Sequence, residues 1–504
     1  MKLTSLYGAW FSLAFVNLIS ASSLVTPPKS AVVLAFEYEH ELSLLANTLS
    51  DENINTVLII PSTSRDLLYD NLIDVEVVEV KVDAALASTK ESRALKACES
   101  LLSDETIQNL IQEFSPTYVI SPGLRHDACV LPWVRKFASI PVIWTQGSEA
   151  ESYVFHQSGI ALPILTGGFW NRLSSLLGIR SIVKNANSNY VTPALELVEK
   201  YLPAETDTIE NLYRDVDLIF WGADTILRSD VSFVSQMLVE IGCHHCRGAH
   251  PVPPELQKEL IERRSGTIAT LLDKDYKNLI EEIARGLPQG RQGQAVVWKI
   301  KDVDYLKEEK PDNLFVNKEV IRQDIIGYPR TRVLLSHCED TELLEAGFHG
   351  TPVICLPRDA DETRNARRAI ELGFSIETGG VHTSSNILSL IKTVHETAGF
   401  RENARKVSVA IRERPNPAVD RITYWLGYVA RNKEEKKHLS VRENRGLSYK
   451  SIYSTDISLA VGFIVGLISG AVLPAAYILA GRILAAGGHS YGKQPTKPKR
   501  KYKT

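Results

Sequence analysis

The sequence lacks a strong excess of charge of either sign. Its 504 residues include 57 Lys and Arg against 60 Asp and Glu, a formal net charge of −3. This balance argues against a nucleic-acid partner. Internal repeats are absent, and the basic C-terminal end is the only low-complexity tract. Hydrophobic residues at 44% and charged residues at 23% are typical of a globular chain, and the length favours two domains.

Cysteine is also scarce, with six residues at positions 98, 129, 243, 246, 338 and 355. These are too few and too scattered to predict a disulfide scaffold. The run CHHC at 243–246 invites a zinc or redox interpretation, but four consecutive residues cannot readily surround one ion tetrahedrally. We expect a structural role there, with a disulfide as the alternative. Cys338 and Cys355 are expected to be small buried hydrophobic side chains, and no metal is expected.

Two long apolar runs lie near the ends of the chain. Residues 1–22 have an early lysine, an apolar stretch and small residues, which is typical of a signal peptide. Residues 457–481 contain no charge and are long enough to cross a bilayer as a helix. The basic tail at 482–504 predicts a cytosolic C-terminus and a type I membrane protein. The ending KPKRKYKT resembles a lysine-based endoplasmic-reticulum retrieval signal with imperfect spacing, and a membrane-flanking basic cluster fits it equally well.

Between these runs, short β-rich segments alternate with segments of helical length. AVVLAF, TVLII, PTYVIS and IPVIWTQ are examples of the β-rich segments. Such alternation indicates βαβ units and parallel sheets. The Pro-rich segment 248–256 separates two α/β regions. We therefore predict a Rossmann-like N-terminal domain at 23–247, a linker at 248–256 and a Rossmann-like C-terminal domain with a return helix at 257–440.

Several segments together resemble the UDP-glycosyltransferases, in the branch that includes the membrane-bound glucuronosyltransferases. The resemblance is strongest in PRTRVLLSHCEDTELLEAGFHGTPVICLPRDADETRN, and it extends to RQDIIGYP, IGCHHCRGAHPVPPEL and RPNPAVDRITYWLGYVARN. It implies the GT-B fold, in which two Rossmann-like domains face a cleft, with a lumenal catalytic portion in the endoplasmic reticulum. It also implies metal-free transfer with inversion from a UDP-sugar to a small lipophilic acceptor. No other cofactor is implied, and association with related transferases is an open possibility.

The resemblance places a catalytic base and its orienting carboxylate in the N-terminal domain. His40 lies near the position of the family's histidine, although an ungapped match selects Tyr38. His40 could otherwise be a surface histidine at a helix start. The orienting position matches Leu124, and Asp127 is the nearest carboxylate, next to His126. A helix N-cap is the alternative role for Asp127.

Donor contacts are implied for five residues of the C-terminal domain: His337, Thr341, Glu345, Asp361 and Glu362. His337 matches the histidine that touches the donor phosphates, and Glu345 matches the ribose-binding glutamate. Asp361 and Glu362 stand at the sugar-binding pair. Because two carboxylates should repel glucuronate, we expect a neutral hexose such as glucose.

Other donor positions depart from the family pattern. Cys338 and Glu339 replace two glycines of the phosphate loop, and Asp340 follows them. Each carboxylate could repel a diphosphate by up to roughly 4 kcal/mol at about 4 Å and an effective dielectric near 20. Glu319 replaces the tryptophan that stacks on uracil, and Arg322 replaces the adjacent glutamine. The leading hypothesis is therefore a UDP-glycosyltransferase, and the alternative is a catalytically degenerate member that binds a lipophile or a partner.

Overall fold

The computed structural model describes residues 29–69, 72–82, 90–160, 169–228, 237–300, 310–432 and 455–487. The predicted signal peptide at 1–22 lies outside these residues, as does most of the basic tail, from residue 488 onward. The chain divides into two compact units, the first ending at Gly446 and the second beginning at Leu447. The first unit contains two parallel sheets, one on each side of the predicted linker.

The first sheet has seven parallel strands in the order β3-β2-β1-β4-β5-β6-β7. Its central strands are buried along their whole length because helices cover both faces, as is usual for parallel sheets. The strands are β1 (Ser30–Leu34), β2 (Asn55–Pro61), β3 (Val75–Val80), β4 (Tyr118–Pro122), β5 (Ile140–Thr145), β6 (Leu218–Trp221) and β7 (Leu238–Glu240). The helices are α1 (Glu39–Asp51), α2 (Lys90–Ser103), α3 (Glu105–Phe114), α4 (Asp127–Lys136), α5 (Ser148–Gln157), α6 (Phe169–Ala186), α7 (Thr192–Tyr201) and α8 (Ile209–Tyr213).

The second sheet has six parallel strands in the order β10-β9-β8-β11-β12-β13. These are β8 (Thr267–Thr270), β9 (Ala295–Lys299), β10 (Leu314–Asn317), β11 (Thr331–Ser336), β12 (Val353–Cys355) and β13 (Ser375–Glu377). The helices are α9 (Pro254–Glu262), α10 (Lys277–Gly286), α11 (Arg322–Ile326), α12 (Asp340–His349), α13 (Ala360–Glu371), α14 (Ser384–Glu396) and α15 (Ala398–Arg412). The predicted pair of Rossmann-like domains is confirmed.

A further helix, α16 (Ala418–Arg431), follows the second domain in sequence but packs on the first sheet. Its apolar face contributes Ile422, Leu426 and Val429 to the core beneath β1, β4 and β5. The Tyr118 hydroxyl on β4 donates a hydrogen bond to the Leu426 carbonyl at 2.8 Å. The return helix is thus part of the first domain's core.

The C-terminal unit contains α17 (Thr455–Gly487), which includes the predicted span at 457–481. Residues Ser458–Leu484 are apolar and long enough to cross a membrane, and their side chains are exposed. Exposed leucine, isoleucine and valine along a whole helix are expected where lipid is the solvent.

All six cysteines form disulfides, which corrects the expectation from their spacing. The pairs are Cys98–Cys129, Cys243–Cys246 and Cys338–Cys355. Cys338 and Cys355 are fully buried, as predicted, but they are bonded to each other. The alternative of a disulfide within CHHC is the one that the structure forms, and the described residues contain no cluster of three or more side chains suited to a metal.

Candidate active site

The carboxyl ends of both sheets meet at one cleft, where ligands bind in open α/β sheets. Loops that follow β1, β8 and β11 reach this cleft, and it holds a cavity of about 750 Å³. The first domain contributes His40, Leu44 and Tyr69 to its wall, and the second contributes Leu272, Arg322 and Glu345. Because residues of both domains line this one cavity, it is the candidate active site.

His40 lies in the first turn of α1, and Glu39 and Glu41 on either side favour the helix start. Its ring contacts Tyr69 edge to face, with 6.2 Å between ring centroids, and it lines the cavity. Tyr38, which an ungapped match selects, instead has a left-handed backbone (φ 57°) and donates its hydroxyl to the Gln146 carbonyl at 3.1 Å. Of the two candidates, His40 is the one in the cavity wall.

Asp127 is fully buried in the first domain and is not hydrogen-bonded to His40. Its carboxylate accepts from the Leu124 amide at 3.2 Å and from the Tyr213 hydroxyl. Burial raises the pKa of Asp127 to about 7, although these hydrogen bonds oppose the shift. Neighbouring His126 is buried too, which lowers its pKa to about 3 and keeps the ring neutral. The sequence therefore predicted His40 and Asp127 as a pair that the structure does not bring together, and the helix N-cap position belongs to His126.

Glu345 and Arg322 form a two-pronged ion pair on the second domain's side. Arg322 Nε and Nη2 donate to the two carboxylate oxygens at 2.6 and 2.7 Å, and His245 Nε2 lies 3.1 Å from Oε1. Burial alone would raise the pKa of Glu345, but the Arg322 charge and the bonds from both partners hold it at about 2. The replacement of glutamine by Arg322 thus supplies a counter-ion to the predicted ribose ligand.

His337 and Thr341 lie at the end of β11 and the start of α12. His337 is buried, and its Nδ1–H donates to the Leu356 carbonyl at 2.9 Å. Its Nε2 makes no hydrogen bond and lies 3.6 Å from Asp273 Oδ2. The Thr341 hydroxyl donates across the cleft to Glu41 Oε1 at 3.2 Å, and so it joins the two domains.

Asp361 and Glu362 at the start of α13 each pair with an arginine. Asp361 bonds Arg364 at 2.5 Å and accepts from the Ser148 amide of the first domain at 3.3 Å. Gly147, just before Ser148, has φ +83°, a backbone conformation that is strained for a residue with a side chain. Glu362 is buried and bonds Arg358 at 2.6 Å. Both predicted sugar ligands are therefore already paired with an arginine.

The loop between β11 and α12 has a left-handed backbone conformation, which favours glycine, at a position occupied by Cys338. Cys338 has φ +68°, a region that costs a residue other than glycine on the order of 1–3 kcal/mol. The Cys355 disulfide and a 2.7 Å bond from its amide to Ser336 Oγ hold it there. Glu339 pairs with Arg358 at 2.7 Å, so the predicted repulsion of a diphosphate by Glu339 is offset by a charge that the motif comparison missed.

A pH dependence of stability follows from Glu41. Burial, followed by repulsion from Glu339, raises its pKa from 4.5 to about 7. Between pH 4.5 and about 7 the folded protein holds a proton that the unfolded chain has released, so stability falls over this window by up to about 1.4 kcal/mol per pH unit and levels off above it. We expect Glu41→Gln to lose less thermal stability than the parent between about pH 5 and about pH 7. Glu371→Gln, at a side chain 57% exposed, is the control; an unchanged slope in Glu41→Gln would contradict the assignment.

Comparison with known proteins agrees with this fold. Solved structures that share the fold include the glycosyltransferase VinC in complex with DTDP (TM-score 0.55, 14% identity, 80% of this chain and 100% of that one). A second is a UDP-glucosyltransferase from Polygonum tinctorium, crystallised as a complex with 3,4-dichloroaniline (TM-score 0.54, 14% identity, 81% and 99%). These confirm the GT-B fold.

Curated relatives align over part of the chain. UDP-glucuronosyltransferase 2A2 of Mus musculus is 30% identical over 244 residues, which are 46% of this chain and 44% of the relative. The human protein of the same name is 29% identical over 243 residues, 46% and 43%. The chain thus matches less than half the length of these relatives. The profile described as UDP-glucoronosyl and UDP-glucosyl transferase matches residues 29–483, and the chain belongs to this family.

Proposed function

We propose that this protein is a UDP-glycosyltransferase that moves a neutral hexose from a UDP-sugar to the hydroxyl of a small lipophilic acceptor. The observation that carries the proposal is the cavity of about 750 Å³ with His40 in one wall and Glu345 in the other. Apolar side chains line much of the remaining wall and suit a lipophilic acceptor: Leu44, Leu67, Leu271, Leu272, Ile300 and Ile321.

In this proposal His40 removes the proton from the acceptor hydroxyl. The acceptor oxygen forms a bond to the anomeric carbon while the bond from that carbon to the UDP oxygen breaks, and UDP leaves with the electron pair. A single displacement of this kind inverts the anomeric configuration. Glu345, held by Arg322, accepts hydrogen bonds from ribose hydroxyls.

The preference for a neutral sugar rests on charge. Four carboxylates and two arginines form ion pairs on the second domain's side of the cleft: Asp273, Glu339, Asp361 and Glu362 with Arg358 and Arg364. The two negative charges left over disfavour glucuronate. We further propose a type I protein of the endoplasmic-reticulum membrane, anchored by α17 with its main portion in the lumen, and able to associate with related transferases.

One observation favours the second candidate, a degenerate member that binds a lipophile or a partner protein. Glu345, Asp361 and Glu362 already bond arginines of their own domain. A donor must compete with these arginines for each carboxylate, and a site satisfied by its own side chains gains less from a ligand.

The test is UDP release by the purified full-length protein in detergent. It is offered UDP-glucose or UDP-glucuronate together with a panel of lipophilic phenols and alcohols. We expect acceptor-dependent release from UDP-glucose and slower release from UDP-glucuronate. Absence of release from both donors, together with no UDP binding at millimolar concentration, would reject the transferase and leave the degenerate member.

A further inference from the structure

Arg358, just beyond the carboxyl end of β12, lies at the centre of three carboxylates. Its guanidinium donates to Glu339 at 2.7 Å, to Glu362 at 2.6 Å and to Asp273. The Glu362 side chain is 5% exposed, whereas those of Glu339 and Asp273 are 46% and 54% exposed. One partner is therefore fixed inside the domain, and the other two are accessible to an incoming anion.

Besides Arg358, the Asp273 carboxylate has the buried His337 Nε2 at 3.6 Å. Because Nδ1–H of this ring donates to the Leu356 carbonyl, Nε2 can donate to an anion only when the ring is protonated. The ten-residue helix α12 begins three residues after His337, with Glu339 at its N-cap. Helix N-termini favour anions. An anion that took the place of the Asp273 carboxylate would face the Arg358 guanidinium and, when the His337 ring is protonated, its Nε2–H.

From this geometry we propose that Arg358 binds the diphosphate of the donor and exchanges Asp273 and Glu339 for phosphate oxygens. The proposal rests on the proposed function, since it names the group that receives the UDP moiety. Glu362 keeps the guanidinium in place during the exchange, through bonds to its Nε and Nη2. A planar guanidinium matches two phosphate oxygens at once, and a diphosphate carries more charge than either carboxylate that it displaces. Asp273 and Glu339 then act as internal competitors that lower donor affinity.

The experiment is calorimetric titration of the full-length protein in detergent with UDP, uridine and inorganic pyrophosphate. Arg358→Gln should weaken UDP binding at least roughly tenfold, the loss expected for a hydrogen bond to a charged group, and leave uridine affinity unchanged. The double variant Asp273→Asn/Glu339→Gln should tighten UDP and pyrophosphate binding by roughly tenfold or more. Arg285→Gln is the matched control, because Arg285 pairs with Glu281 four residues away on the surface of the same domain.

The outcomes separate this inference from the function on which it rests. UDP binding that is equal in the parent and Arg358→Gln, or weaker in the double variant, overturns the role of Arg358 and leaves the transferase standing. No binding of UDP or pyrophosphate by the parent or the double variant at millimolar concentration overturns both. If Arg358→Gln fails to fold because Glu362 loses its counter-ion, the gain of affinity in the double variant decides.

Discussion

Replacing His40 by alanine should lower the turnover of UDP-glucose by roughly 10²- to 10⁴-fold, the range that a positioned general base supplies. The reason is its place in the cavity wall, in the first turn of α1 and opposite Glu345. UDP affinity should stay unchanged, because the donor contacts proposed above come from the second domain. The measurement is kcat from UDP release, with UDP affinity followed by calorimetry in parallel.

Tyr38→Phe is the discriminating control for this prediction. The Tyr38 hydroxyl donates to the Gln146 carbonyl, and its ring packs on Trp144 with 5.0 Å between ring centroids. Loss of the Tyr38 hydroxyl should leave kcat within a few-fold of the parent value. The reverse pattern, an active His40→Ala and an inactive Tyr38→Phe, would move the base to Tyr38 and reject His40.

Arg228→Met should destabilise the protein by about 3–5 kcal/mol, the cost of leaving a buried charge unpaired. Arg228 and Glu151 are each 4% exposed and bond at 2.6 Å, and the Trp221 indole N–H also donates to Glu151 at 2.8 Å. The measurement is the thermal or urea unfolding midpoint of the full-length protein. Since burial raises the pKa of Glu151, the variant can take up a proton there, and its deficit should be smaller at pH 5 than at pH 8.

Two further variants test whether the loss of stability comes from an unpaired buried charge. Glu151→Gln/Arg228→Met removes both charges and keeps an acceptor for Trp221, so it should regain much of the loss. Arg65→Met breaks a surface pair with Glu79, whose side chains are 68% and 36% exposed, and should cost within about 1 kcal/mol. Equal losses of stability in Arg65→Met and Arg228→Met would show that the buried pair contributes no more to stability than the surface pair.

The sequence predicts the sheets well because a parallel strand is a local apolar run. AVVLAF and TVLII identify β1 and β2 without any knowledge of their neighbours. The strand β3, VEVVEV, is harder to recognise, because it lies at the sheet edge and two glutamates interrupt its valines without a regular alternation. The span is predicted for the same local reason, since lipid requires a long uninterrupted apolar segment.

The polar contacts of the site are predicted less well, because they join residues distant in sequence. Arg358 and Asp273 are 85 residues apart, and Arg322 and Glu345 are 23 apart. Comparison of motifs registers Arg322 as a lost glutamine and Glu339 as a lost glycine, but it does not show that each has acquired an oppositely charged partner. Cysteine pairing is missed for the same reason, since only the fold brings Cα atoms of Cys98 and Cys129 to 6.0 Å.

The return of α16 to the first sheet has a consequence for biosynthesis. The core of the N-terminal domain is completed by Ile422, Leu426 and Val429, so this domain is not a contiguous product of the first half of the chain. During synthesis, domains usually fold from the N-terminus onward. Here the core of the first sheet is complete only after residue 431 has left the ribosome, by which time all strands of the second sheet have been made. The nascent first domain therefore exposes an unfinished apolar surface throughout translation of the second, and a chaperone that shields it has that whole interval in which to act.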